Sequence, residues 1–397
     1  MQPIYLVKIE VGENNNKYYR MIPNGSTFEV QYGRIGSTQQ TDSYPIERWE
    51  SQLKSKLKKG YIDQTHLVSE LSVKVASKEY SEIKNSFIAK IVERLQTMAK
   101  IAVAENYTIT SDKVTKKMVE EAQNILNILS MQKDVDVFNK NLLELFRTIP
   151  RKMKKVSENL AVNKNDFSEI VQREQDLLDV MKSQVVQNKV LENDVESNDT
   201  KQTILEALGL EFQEITEAEK REIKQLLGSS AHKFYQAWKV INKKTQKIFD
   251  EFVTKENIKN RKLLWHGSRS ENFWSIVNTG LLLRPNAVIT GKMFGNGIYF
   301  SNDADKSLGY TSLGGSRWAN GNQQTGFMAL YDVAYGKAYD VYSFDGSYNG
   351  FDYNRLQQKC AGANCLHAHG GTGMLRKDEI VVYKEEQLTI KYLIELK

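Results

Sequence analysis

Cysteine is nearly absent: the 397 residues contain two, Cys360 and Cys365. That usage excludes a disulfide scaffold and fits a reducing, intracellular compartment. Proline is scarce too. Of five prolines, only Pro150 lies between residues 79 and 192, so that stretch has a single built-in helix breaker. No run of about 18 apolar residues occurs, so no apolar spanning helix is expected. The opening Met1-Gln2-Pro3-Ile4 shows neither the basic region nor the apolar stretch of a secretory signal. Charge of one sign is also lacking. The net charge of +6 is spread thinly, with 10 Lys+Arg against 8 Asp+Glu in residues 1–76. Overall charge therefore gives no argument for nucleic acid, and any such contact must come from a local patch. The expected location is intracellular, in the nucleus of a eukaryote or the nucleoid-containing cytoplasm of a prokaryote, with no membrane partner.

What is present divides into three segments. Residues 1–76 read as short strands and a helix. Tyr5, Val7, Ile9 and Val11 alternate with their neighbours, Gly12 and Asn14 to Asn16 turn the chain, and Lys17–Ile22 resumes as a strand. Asn24-Gly25 signals a hairpin, because both positions tolerate positive φ. Phe28, Val30 and Tyr32 face one side of the next strand, and a helix with Trp49, Leu53 and Leu57 on one face follows Pro45. Residues 79–192 change to helical spacing. Ile88, Ile91, Val92, Leu95 and Met98 form one stripe, and Val119, Ala122, Ile125, Leu126 and Leu129 another. Leu142, Leu145 and Phe146 precede the stop at Pro150, and Leu177, Leu178 and Met181 belong to a fourth helix, which predicts a bundle. Glu192–Lys201 reads as a polar linker.

Residues 203–397 hold the chemistry. Thr216–Glu219 fits a capping box, and a further helix is expected over Phe234–Val253. Three strings then place polar or aromatic groups at the ends of apolar strands, where they can converge on a cleft. These are Leu263–Arg269 with His266, Gly295–Ser301 followed by Lys306, Ser307 and Tyr310, and Asp378–Tyr383. Each alone has a bland reading: His266 as a core histidine, Tyr299 as strand packing, Glu379 as a solvated strand end. Gly295 and Gly297 do not make a phosphate loop, because no Lys-Ser/Thr pair follows.

Taken in order, LLWHGSRSENF, TGKMFGNGIYFSNDADKSLGY and DEIVVYKEEQLTIKYLIELK closely resemble the catalytic domain of the poly(ADP-ribose) polymerases. The resemblance implies a split-sheet ADP-ribosyltransferase fold at 203–397, with NAD⁺ consumed as a substrate. It implies a catalytic set of His266, Tyr299 and Glu379. Glu379 would bind the nicotinamide-ribose 2′-hydroxyl and polarise an acceptor hydroxyl. His266 would hold the adenine ribose. Gly267, Ser307, Tyr299 and Tyr310 would surround the nicotinamide, Ser268 would belong to the NAD⁺-binding set, and Met293 and Lys306 would lie on the acceptor side. A glutamate in the third string is the pattern of polymer elongation. On the adenine side the sequence departs from the family, with Leu282 where an arginine is common and Arg284 two residues later.

Residues 1–76 resemble a WGR domain whose motif here reads Tyr32-Gly33-Arg34 before Ile35-Gly36; in relatives it grips DNA at ends or nicks. Residues 79–192 resemble, more loosely, the helical regulatory domain of the same family. The whole is therefore expected to be a multidomain α+β protein: a small sheet with a helix, a helical bundle, and the split-sheet domain. Its expected activity is DNA-break-responsive synthesis of poly(ADP-ribose) on acceptor proteins, itself included. A mono-ADP-ribosyltransferase and a non-catalytic DNA-break sensor are the alternatives. Cys360, Cys365, His367 and His369 gather metal-binding residue types, but at irregular spacing, and no metal is expected.

Overall fold

The computed structural model describes all residues except 36, 69–79, 109–110, 112–113, 194–201, 284–292, 320, 345, 349 and 372–374. Gly36, Arg284 and most of the expected linker thus lie outside the described residues. The described residues form two compact units, one within 1–77 and 100–192 and the other within 78–99, 193–285 and 291–397.

The first unit opens with an antiparallel sheet of β1 (Ile4–Glu10), β2 (Asn15–Asn24), β3 (Thr27–Arg34), β4 (Gln40–Pro45) and β5 (Ile62–Asp63), in the order β4-β3-β2-β1-β5. Alternation does what period-two patterning requires: Leu6, Tyr19, Met21, Phe28 and Val30 face one side and bury against Trp49 of α1 (Trp49–Lys58). Gly25 sits at φ +60°, the conformation the hairpin turn needs. A short α2 (Thr65–Val68) follows. The helical part comprises the later residues of α3 (Ser86–Asn106), then α4 (Lys116–Leu129), α5 (Val135–Thr148) and α6 (Asp166–Asn193). The apolar stripes read from sequence in α4 and α5 are buried, and α5 ends two residues before Pro150. Arg151 and Glu174, both buried, pair at 3.2 Å inside this part, with the guanidinium over the Tyr107 ring.

The second unit is built on two sheets. Five strands run in the order β6-β7-β14-β10-β8: β6 (Leu210–Glu214), β7 (Phe234–Asn242), β8 (Lys262–Gly267), β10 (Gly326–Val333) and β14 (Leu388–Leu396). Four more run β11-β12-β13-β9: β9 (Ile298–Phe300), β11 (Ala338–Val341), β12 (Cys365–Ala368) and β13 (Glu379–Val382). The sheets meet where Trp265 of β8 and Ser301, just after β9, exchange backbone hydrogen bonds of 2.8 and 3.1 Å. Besides the first residues of α3, the helices among the described residues are α7 (Ile204–Leu208), α8 (Glu217–Leu227), α9 (Lys243–Lys255), α10 (Phe273–Thr279), α11 (Ala304–Leu308) and α12 (Tyr353–Lys359). Thr216 and Glu219 form the expected capping box at α8.

One expectation fails. Phe234–Val253 is not a continuous helix but strand β7 followed by α9. Phe234-Tyr235, Trp238 and Val240-Ile241 are aromatic or β-branched, so they favour a pleated surface. Asn242 then accepts from the backbone of Lys244 and Thr245 and caps the helix that begins there.

Candidate active site

Both sheet edges that meet at the Trp265–Ser301 junction carry the sequence motifs. His266 and Gly267 end β8, Tyr299 lies on β9, and α11 contributes Lys306 and Ser307. Glu379 opens β13, which pairs with β9 through Val381 and Tyr299. Asp303 sets the start of α11 by accepting from the N–H groups of Asp305 and Lys306.

His266 donates from Nδ1 to the Tyr299 carbonyl at 3.1 Å. Burial pushes its pKa below the ordinary 6.5, so the ring is neutral at pH 7. With Nδ1–H spent on a carbonyl, Nε2 presents a lone pair and is suited to accept from a hydroxyl. Tyr299 is fixed in turn: its hydroxyl donates to Gly295 O and accepts from Phe294 N, both at 2.9 Å.

Gly267 has no room for a side chain, because a Cβ there would lie 1.9 Å from the Ser307 carbonyl oxygen. We predict that Gly267→Ala lowers the stability of this unit by at least about 3 kcal/mol, at the upper end for overpacking. Urea unfolding checks this; an unchanged midpoint would show that α11 yields freely. Ser307 is buried and donates to the Trp265 carbonyl at 3.2 Å. Tyr310 stacks against Trp318, centroids 6.3 Å apart, with burial raising its pKa to about 12.

Glu379 is the most constrained group. Only 6% exposed, it pairs through Oε1 with Lys306 Nζ at 2.7 Å, while buried Oε2 has no hydrogen-bond partner among the described residues. Burial raises its pKa above the ordinary 4.5, and Lys306 opposes the rise only in part. Lys306 also donates to the carbonyls of Lys377 and Asp378 at 3.2 and 3.3 Å. A raised folded-state pKa means that protonation favours the folded state. The group's contribution to stability therefore becomes less favourable as pH climbs through the window above 4.5, and is constant beyond it. An activity that needs the carboxylate then has an acid limb above 4.5, and Lys306→Met moves that limb to higher pH. A pH profile of kcat/KM decides; a limb that moves down or stays contradicts the assignment.

Comparison with known proteins decides the family. Residues 211–397 match the model of the poly(ADP-ribose) polymerase catalytic domain, and residues 2–67 that of the WGR domain. Over 191 residues, 46% of this chain and 97% of the relative, the protein is 31% identical to a putative poly [ADP-ribose] polymerase-like protein, 100L, of Invertebrate iridescent virus 6. It is 35% identical to the uncharacterized protein 101L of the same virus, over 44% of this chain and 74% of that one. The human poly [ADP-ribose] polymerase 2 is 31% identical over 36% of the chain, an alignment spanning 27% of the human protein. The chain belongs to the poly(ADP-ribose) polymerase family. It is an NAD⁺ ADP-ribosyltransferase.

Of the residues expected to serve this polymerase, His266, Gly267, Tyr299, Lys306, Ser307, Tyr310 and Glu379 surround the sheet junction. Three others stand differently. Ser268 accepts from Asn272 Nδ2 at 3.0 Å, Met293 packs on the apolar cluster around Phe294, and Leu282 lies in irregular chain after α10. In the WGR sheet, Tyr32 donates its hydroxyl to Asp42 at 2.9 Å. Arg34 does not point freely outward. Its guanidinium donates to the carbonyls of Asn14 and Lys154, at 2.7 and 2.8 Å, tying the sheet to the helical part of the same unit. Asp378 was missed by the sequence reading. It accepts from Asn302 and Gly370 and bonds His367, so it fixes the peptide beside Glu379. Its place directly before Glu379 was the available signal. Trp318, 56% exposed beside Tyr310, carried no signal, because its loop brings it back through backbone bonds to Gly309.

Proposed function

We propose that this polymerase answers DNA ends or nicks by building poly(ADP-ribose) on acceptor proteins, itself included. The observation that carries the reading is the buried Glu379 carboxylate, held on one oxygen by Lys306 and unsatisfied on the other. Leaving a buried acceptor unpaired costs about 1–3 kcal/mol, a cost that a bound hydroxyl would remove.

In this reading the glycosidic C1′–N bond of NAD⁺ breaks, its electron pair passes to the pyridinium nitrogen, and neutral nicotinamide leaves. Glu379 accepts from the ribose 2′-hydroxyl and stabilises the oxocarbenium-like centre. An acceptor oxygen then bonds to C1′ while its proton is drawn off toward the carboxylate. Neutral His266 accepts from a hydroxyl of the adenine ribose through Nε2. Gly267 lets the nicotinamide amide approach the backbone, Ser307 completes that grip, and Tyr310 and Tyr299 offer flat faces to the cationic ring. Ser268 borders the nucleotide, and Met293 and Lys306 border the acceptor. Tyr32, Gly33 and Arg34 form the DNA-facing edge of the WGR domain. A DNA phosphate would compete with the Asn14 and Lys154 carbonyls for Arg34, which gives the end-binding step a direct consequence for the helical part. The protein acts in the nucleus or, in a prokaryote, at the nucleoid.

Incorporation of labelled NAD⁺, with and without a short duplex carrying a 5′-phosphorylated end, tests this. A ladder of long products stimulated by the duplex supports it. Equal incorporation without DNA removes the end-sensing half, and a single added unit removes polymer synthesis.

A further inference from the structure

The sequence gathers Cys360, Cys365, His367 and His369 within ten positions, and the fold separates them by chemistry. Cys365 is buried in β12 and does not join the group of ligand atoms that the strand pairing assembles. Cys360 follows α12 as its C-terminal cap. The two histidines instead meet a residue from 27 positions upstream: parallel pairing of β11 with β12 sets Asp340 opposite His367.

One ligand atom from each of Asp340, His367 and His369 lies within 4.8 Å of the others. The two imidazoles stack with centroids 4.1 Å apart and planes 21° from parallel, and His369 Nε2 lies 2.7 Å from Asp340 Oδ1. Both nitrogens of His367 are engaged, Nε2 with Asp378 at 3.0 Å and Nδ1 with the Tyr335 hydroxyl at 2.8 Å. Whichever nitrogen took an ion, the other would stay held by a carboxylate or a hydroxyl, as in orienting pairs behind metal-bound histidines.

We propose that Asp340, His367 and His369 bind a divalent transition-metal ion of the zinc type. Two imidazoles and one carboxylate suit Zn²⁺ and its neighbours, not Mg²⁺ or Ca²⁺, which prefer all-oxygen sets. Bond lengths of about 2.0–2.2 Å require the three donors to draw closer than their present span. Asp340 and His369 supply the movement, with side chains 48% and 28% exposed, while buried His367 is the fixed point. The fourth position is left to water. The site stands apart from the transferase reading and does not depend on it.

Titration of the untagged, chelator-treated full chain with Zn²⁺ tests the proposal, followed by Co²⁺ for its absorption spectrum. One ion per chain is expected, with no thiolate charge-transfer band from Co²⁺ and no competition by excess Mg²⁺. Asp340→Asn and His369→Gln, both at partly exposed side chains, should each weaken binding about tenfold or more, with circular dichroism unchanged. Cys360→Ser should leave it intact. Absence of Zn²⁺ binding overturns the proposal. So does binding that survives both substitutions in folded protein, or that disappears with Cys360.

Discussion

Glu379→Gln lowers nicotinamide release by about 10³-fold, within the range lost when a single electrostatic or acid–base group is removed from an active site. The substitution keeps size and shape but removes the charge that the oxocarbenium-like centre needs. It also replaces an acceptor-only group by one that donates from half its head. Lys306 keeps its bonds to the carbonyls of Lys377 and Asp378, so the loop stays in place and the protein stays folded. The unpaired Oε2 of the native glutamate points the same way, since a group evolved only for packing would have no reason to leave a buried acceptor open. Kinetics of release with thermal unfolding in parallel check both halves. A variant that is folded and retains more than about a tenth of the native rate contradicts the catalytic assignment.

Arg94→Met destabilises the second unit by about 3 kcal/mol, the scale of stranding a buried charge, because Glu395 is fully buried while the Arg94 side chain is 39% exposed. Arg94, in the first half of α3, reaches Glu395 on the last strand at 2.5 Å and Thr325 at 2.6 Å, and lies over the Phe327 ring. Glu395 is fully buried; with Arg94 removed, the Gln236 amide at 2.6 Å is the partner left to its charge among the described residues. Phe87 stacks on Trp238 about two turns earlier, so the same helix is held by an apolar contact as well. The double variant Arg94→Met, Glu395→Gln recovers much of the loss, because the stranded charge is gone. Four of the five tryptophans, at 238, 265, 274 and 318, belong to this unit, so intrinsic fluorescence in urea reports it directly. A single variant with an unchanged midpoint, or a double variant no better than the single, contradicts the account.

The catalytic motifs were legible because their chemistry is written in contiguous strings. His266-Gly267 end one strand, Glu379 opens another and Tyr299 is the middle residue of the short β9 between Ile298 and Phe300, so all of them fall at the sheet junction where side chains converge. The helical stripes of α4 and α5 were legible for a different reason, namely that a period of 3.6 survives in the sequence whatever the tertiary context. Phe234–Val253 was misread because a nine-residue strand leads without a break into a helix, and only Asn242 marks the change. The tie from Arg34 to the Lys154 carbonyl was not legible, since a backbone acceptor 120 residues away leaves no trace in residue type. The meeting of Asp340 with His367 was hidden for the same reason: only the parallel register of β11 and β12 creates it.

The most direct test of the central claim is a balance of products. Purified protein is given NAD⁺ and duplex ends, and nicotinamide released is compared with ADP-ribose retained in acid-insoluble form. Equal amounts, with the retained material in long chains, are the predicted result. No nicotinamide release above the blank, or release matched by free ADP-ribose in solution, would contradict it.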